Sequence, residues 1–410
     1  MAAVQSAPFV VDDFAPARRS MRIAVVTETY PPEVNGVAMS LARVVEGLHA
    51  RNHAIQLVRP RQPASDAEGG DGRFDEVLLR GLPIPRYPHL KMGMPSKKVL
   101  VGLWTLRRPD VVHIASEGPL GWSALQAALQ LKLPVCSDFR TNFHTYSKHY
   151  GMGWLNRPIL GYLRKFHNRT QHTMVPTEAL RDQLTGHGFL NVSVLARGVD
   201  TTLFHPARRS ATLRAEWGAG PDDTVLLCVG RLALEKNLGS LLAAYETIRQ
   251  SEPKTRLVLV GDGPARKDLQ RRCPQAVFAG VRSGEDLATH YASGDVFLFP
   301  SVTETFGNVT PEAMASGLAV LAFDYAAAAQ LIRSGDNGLL APYNDNGDFV
   351  RQAVLLAADR RLARGMGLRA RDTACQFGWD RIVGQLEAVL LSAIDAQGEA
   401  PSVAALRATA

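Results

Sequence analysis

Short apolar runs alternate with helix-patterned segments twice along this 410-residue chain, and that alternation restricts its fold more than any other feature. In the first round Arg22–Thr27, Ile55–Val58, Glu76–Leu79, Val111–Ile114, Pro134–Ser137, His172–Val175 and Val192–Leu195 read as strands. Val37–Arg51, Val99–Arg107 and Leu120–Leu131 between them carry helical spacing. The second round has strands at Thr224–Val229, Arg256–Val260, Val277–Phe278, Val296–Phe299 and Val320–Ala322, with helices at Leu238–Gln250, Ala265–Arg272 and after Pro311. Strands this short and this apolar, linked through helices, belong to parallel sheets covered on both faces. The reading is an α/β protein of two Rossmann-like βαβ domains. Ligands of such sheets bind beyond the carboxyl ends of the strands, so the cleft between the two sheets is the expected site.

The boundaries follow from this pattern. Residues 1–20 carry Asp12, Asp13, Arg18 and Arg19 and no apolar signal core, so a flexible leader is expected. Residues 21–202 form the first domain, 203–220 a linker and 221–378 the second domain. A helical segment, 379–396, and a small polar tail, 397–410, complete the chain. Cys136, Cys228, Cys273 and Cys375 show no paired spacing, which favours buried thiols over disulfides or a metal site. No run approaches the roughly 18 apolar residues of a membrane helix.

Charge is concentrated. Residues 80–170 hold fourteen Lys or Arg and three acids, against a net charge of +7 for the whole chain. A basic field of this kind expects an anionic partner. No binding motif surrounds the charges, so nucleic acid is not that partner. Within the field, Pro88–Trp104 mixes Lys91, Lys97 and Lys98 with apolar residues in a partly helical pattern.

The chemistry gathers at strand ends. F-P-S-V-T-E-T-F-G-N-V-T-P-E-A-M-A-S-G, residues 299–317, runs from a strand through a loop into a short helix. Thr310 is the expected N-cap, Pro311 the first helical position and Gly317 the residue past the end. A helix N-terminus suits phosphate, and the carboxylates Glu304 and Glu312 suit sugar and ribose hydroxyls. Arg231 and Lys236 follow the first strand of the second domain and could neutralise a diphosphate in place of a metal. Gly36, after the first strand of the first domain, allows backbone to approach a phosphate. The chain has no D-x-D, no G-x-G-x-x-G on its first loop, no P-loop and no G-x-S-x-G elbow. Those absences argue against a metal-bridged diphosphate, a dinucleotide oxidoreductase, the usual ATPase and an α/β-hydrolase.

Together these segments resemble the retaining GT-B glycosyltransferases of family 4. The resemblance rests on T-E-T-Y-P-P-E-V-N-G-V (27–37), P-D-V-V-H-I (109–114), R-G-V-D-T-T-L-F (197–204), G-R-L-A-L-E-K-N (230–237), V-G-D-G-P (260–264), A-G-V (279–281), the 300–317 run and D-N-G-L-L (336–340), in that order. It implies that Arg231 and Lys236 hold the donor diphosphate, and that Glu304 meets the donor sugar. Phe306, Gly307 and Asn308 would lie near sugar and phosphates, Glu312 at the ribose, and Val281 near the base. Gly36 would close the first loop on the diphosphate, and the helix at 379–396 would return to the first domain. Where many members carry His-Thr-Asp/Asn, this chain has Arg140-Thr141-Asn142, with His144 beyond. The basic role near the transferred sugar then falls to Arg140 or His144, with Asn142 contributing. Ala327-Ala328-Ala329-Gln330 replaces a common glycine pair and glutamate, a pattern similar to that of mannosyl- and glycolipid-forming members.

The expected function is transfer of a hexose from GDP-mannose or a UDP-hexose to a lipid or lipid-linked acceptor, without a metal cofactor. The expected place is cytoplasmic, peripheral at the inner face of the membrane, against an anionic surface. The alternatives are an epimerase-like enzyme acting on the nucleotide sugar itself and a non-catalytic sugar-nucleotide-binding protein.

Overall fold

The computed structural model of the protein describes residues 19–33, 35–62, 74–84, 87–140 and 156–398. The first domain is built on β1 (Arg22–Val26), β2 (Ala54–Pro60), β3 (Asp75–Leu79), β4 (Gly81–Ile84), β5 (Tyr87–Gly93), β6 (Val111–Ile114), β7 (Val135–Asp138), β8 (His172–Val175) and β9 (Val192–Val194). Seven of these form one parallel sheet in the order β3-β2-β1-β6-β7-β8-β9, and β4 and β5 form a separate antiparallel pair. The second domain has β10 (Val225–Val229), β11 (Arg256–Val260), β12 (Val277–Gly280), β13 (Val296–Phe299), β14 (Ala319–Phe323) and β15 (Leu339–Ala341). They form a six-stranded parallel sheet, β12-β11-β10-β13-β14-β15.

The continuous apolar runs have a direct cause. Alternate residues of a strand face opposite layers, so a strand covered on both sides has no polar face. Ile23 and Val25 of β1 pack with helix Gly36–Ala50, whereas Ala24 and Val26 pack with helices Lys97–Leu106 and Pro119–Gln130. Helix Gly36–Ala50 starts at Asn35, whose side-chain oxygen accepts from Val37 N at 3.1 Å and Ala38 N at 2.8 Å.

The last helix, Trp379–Gly398, returns to the first domain. Val383, Leu386 and Leu390 are buried beside Val44, Val45 and Leu48. Gly47 permits this approach, because a Cβ there would lie 2.6 Å from Val383. Arg51 donates to Glu387 and Asp380, both at 2.7 Å, and His53 Nε2 lies 3.2 Å from Glu387. Next to it the two crossover segments pair: Val199 N donates to Phe377 O at 2.9 Å, and the Trp379 ring fills the space a side chain at Gly198 would need.

Two of three local expectations need correction. Residues 203–220 are not a plain linker: they hold helix Ala211–Glu216 and bury Phe204 and Trp217 in the second domain's core. Pro88–Trp104 is helical in part, as its pattern suggests. It divides into the end of β5 and helix Lys97–Leu106, with Trp104 buried in the core and its Nε1 donating to Gln56 at 2.9 Å. Thr310 does not cap its helix. Helix Val309–Ala315 begins two residues earlier than expected, with Asn308 at the cap position and Thr310 buried.

Candidate donor site

The site is assembled from loops at the carboxyl ends of β10, β11 and β13. Gly230, Gly261 and Gly263 all have φ between +130° and +160°, at +146°, +133° and +158°. A Cβ on Gly261 would fall 2.0 Å from the Gly230 carbonyl, and one on Gly263 2.4 Å from the Leu232 carbonyl. These glycines let two strand-end loops lie backbone against backbone, and Leu232 N donates to Asp262 O at 2.9 Å. The stitched loops fix Arg231 and the 3₁₀ turn Leu234–Lys236 that carries Lys236.

Lys236 and Glu304 meet directly. The ammonium is paired with Glu304 Oε1, to which Ser301 Oγ also donates at 2.7 Å. Tyr325 OH donates to the Glu304 carbonyl at 2.8 Å, which fixes the backbone of the loop. The Lys236 nitrogen also stands 5.7 Å from the Phe299 ring centroid. Phe299, Ser301, Glu304, Phe306 and Tyr325 line one recess. Gly230, Arg231, Lys236 and Phe299 line another, so the two share the Phe299 ring. Arg231 is half-exposed, with its guanidinium 3.8 Å from Glu235.

Glu312 lies within helix Val309–Ala315, and Tyr291, from helix Gly284–Ser293, donates to its Oε2 at 2.9 Å. Burial pushes the Glu312 pKa up to about 7, against the opposing effect of that hydrogen bond. Gly307 has φ +91° and sits against Glu304 and Phe299. Asn308 reaches the other domain, where its Nδ2 donates to the Gly36 carbonyl at 3.5 Å. Val281 follows Gly280 (φ +76°) and is 68% exposed, open to a flat ligand.

Arg140 does not join this group. It is buried in the first domain, with Nε donating to Asp138 Oδ2 at 2.6 Å and Nη1 to Ser40 at 3.1 Å. Burial alone would raise the Asp138 pKa, but the Arg140 charge and then His113 override it and hold the carboxyl well below the usual range. Asn142 and His144 lie outside the described residues. Sequence reasoning missed Ser301, Tyr325 and Tyr291. Tyr291 precedes β13 by several residues and carries no motif, so only packing brings it to Glu312.

Two family models cover most of this chain: "Glycosyltransferase Family 4" matches residues 34–203 and "Glycosyl transferases group 1" matches residues 223–359. A GDP-mannose-dependent alpha-mannosyltransferase of Corynebacterium glutamicum is 36% identical over 371 residues, covering 90% of this chain and 88% of that protein. The chain belongs to the retaining GT-B glycosyltransferases of family 4. It is therefore a glycosyltransferase. An alpha-monoglucosyldiacylglycerol synthase of Streptococcus pneumoniae is 26% identical, over 74% of this chain and 71% of that one. The fold is shared with Anabaena HepE, solved with UDP and glucose, at a TM-score of 0.72 and 18% identity over 91% of this chain and all of that chain. No described helix of this glycosyltransferase is long and apolar enough to cross a membrane.

Proposed function

We propose that this glycosyltransferase moves a hexose from a nucleotide sugar, GDP-mannose or a UDP-hexose, to a lipid or lipid-linked acceptor. The observation that carries the reading is the pairing of Lys236 with Glu304 at the carboxyl ends of one parallel sheet, with Glu312 on the helix that follows the same loop. Arg231 and Lys236 supply positive charge where a diphosphate would leave, and Glu304 and Glu312 supply acceptors for sugar and ribose hydroxyls. GDP-mannose is favoured as donor by the 36% identical relative, whose name specifies it.

Neither glutamate has the free geometry of a nucleophile. Glu304 is held by Lys236 and Ser301, and Glu312 by Tyr291. The reading is therefore substitution on one face of the sugar. The departing diphosphate takes the acceptor proton while the cations stabilise its charge. No metal is required in this scheme.

A lipid acceptor is supported by the diacylglycerol-specific name of one relative and by the surface of the first domain. Leu82, Met92, Met94, Val99 and Leu106 are exposed near the exposed Lys97 and Lys98. An anionic membrane surface offers both an apolar layer and countercharge for such a patch. Lys91 contributes less, because it donates to the backbone carbonyl of Arg61 at 3.2 Å.

The test is a thermal-shift panel of nucleotide sugars followed by transfer of the labelled sugar to extracted lipid. A ligand at 100 times its dissociation constant stabilises by about 2.7 kcal/mol. Sugar turnover without any acceptor would indicate an epimerase-like enzyme, and binding without turnover a non-catalytic protein.

A further inference from the structure

The donor-site residues leave one charged recess unused. It lies beside the crossover between the domains, a small open recess lined by Asp138, Arg140, Arg197, Val44, Pro176 and Trp379. Arg140 follows β7 and Arg197 follows β9, so both stand at the carboxyl edge of the first sheet, where ligands of parallel sheets bind.

The charges in this recess do not balance. Asp138 Oδ2 is taken by Arg140 Nε at 2.6 Å and approached by His113 Nε2 at 3.3 Å. Arg140 spends a further donor on Ser40. Arg197 makes no hydrogen bond and no ion pair among the described residues. Burial, and then the Arg140 charge, pull its pKa down to about 9, against the attraction of Asp138. Two guanidinium groups thus face one carboxylate, and a partly buried cation that shares its countercharge gains when an anion joins it. The position is also fixed. The neighbouring Val199 is paired to Phe377, and Gly198 is pressed against Trp379, so Arg197 is not on a freely swinging surface loop.

We propose that Arg197, backed by Arg140, forms a subsite for an oxyanion carried by one of the two substrates: a carboxylate, sulfonate or phosphate. A guanidinium offers such a group a planar pair of donors, and Arg140, already tied to Asp138, supplies a second fixed positive charge. The oxyanion belongs either to an acidic donor sugar or to the acceptor's headgroup. This deepens the proposed function and rests on it, since it assumes that transfer takes place in this cleft.

The experiment compares wild type, Arg197→Gln and Arg197→Lys on matched pairs. GDP-mannose against GDP-mannuronate, and UDP-glucose against UDP-glucuronate, are compared by calorimetry. Diacylglycerol against phosphatidate is compared by kcat/KM in the same neutral micelles. The expected result is a wild-type preference of about tenfold or more for the anionic member of one set. Arg197→Gln abolishes that preference and Arg197→Lys keeps part of it. A preference among donors places the oxyanion on the sugar, and one among acceptors places it on the headgroup. Folding is checked separately: sodium sulfate, against sodium chloride at matched ionic strength, should raise the melting temperature of wild type more than that of Arg197→Gln. The proposal is overturned if no anionic member is preferred, or if the preference survives in Arg197→Gln. A sulfate effect without any substrate preference also overturns it as a substrate subsite. Binding of GDP and UDP, with its loss in Lys236→Ala, reports on the proposed function alone. Its absence sinks that reading, whereas intact binding without anionic preference sinks only the subsite.

Discussion

The Lys236 ammonium is paired with the Glu304 carboxylate, so the cation proposed for the diphosphate and the anion proposed for the sugar neutralise each other. Ser301 donates to the same oxygen at 2.7 Å, which leaves Glu304 held when the lysine turns away. On the proposed reading, donor phosphates compete with Glu304 for Lys236.

Removing the lysine tests its role in the leaving group. Lys236→Ala should lower turnover by roughly 100-fold or more, as expected for loss of a charge contact made in the transition state. Steady-state kinetics on a variant with wild-type circular dichroism decides it, and near-native turnover would discard the assignment.

The two glutamates should separate by ligand. Glu312→Ala should weaken binding of the free nucleoside diphosphate and of the nucleotide sugar alike, because both carry the ribose. Glu304→Ala should weaken the nucleotide sugar selectively. It should leave the nucleoside diphosphate bound at least as well, because Lys236 loses its competing partner. Calorimetry with both ligands gives the answer, and the reverse pattern would mean the roles are exchanged.

Glu312 should make nucleotide binding and stability depend on pH. Its folded pKa, about 7, is above the ordinary carboxyl value of 4.5. The folded state therefore holds a proton that the unfolded state has released, and this group's contribution to stability is present below about pH 4.5 and declines as pH rises through 7. Glu312→Gln should accordingly gain heat stability relative to wild type at pH 8 by up to about 3 kcal/mol, with the gain vanishing toward pH 5. Nucleoside diphosphate affinity should rise from pH 6 to 8 in wild type, since the ionised carboxylate accepts from the ribose diol, and stay flat in Glu312→Gln. Melting curves and titrations across that range check both, and a pH-independent difference would remove the claim.

Activity should survive chelation. With Arg231 and Lys236 near the expected diphosphate, EDTA should leave turnover within about twofold. Full loss, restored by Mg²⁺ or Mn²⁺, would replace the proposed scheme by a metal-assisted one.

Membrane binding should be salt-sensitive and should reside in the first domain. Replacing Lys97 and Lys98 together by Ala should weaken sedimentation with anionic vesicles, at about 1 kcal/mol per cation, and leave nucleotide binding intact. Equal binding to neutral and anionic vesicles at low salt would favour an acceptor in solution.

Much of this was legible in the residue order. Two-sided burial forces continuous apolar strands, so both parallel sheets could be read from runs such as Val225–Val229. The glycines at 230, 261 and 263 and the cations and carboxylates beside them mark strand-end loops, because backbone contact and charge there each require particular residue types. Helix Ala211–Glu216 and the burial of Phe204 and Trp217 were not legible, since a short amphipathic stretch reads the same whether it packs or connects. Nor could sequence tell that Arg140 turns to Asp138 and Ser40, that Tyr291 holds Glu312, or that Arg197 has no hydrogen-bonding partner among the described residues. Fold class, family and the charged side chains at the strand ends all follow from local periodicity and residue type. Which charges meet depends on the three-dimensional packing, because pairing distance and desolvation arise between segments far apart in the chain.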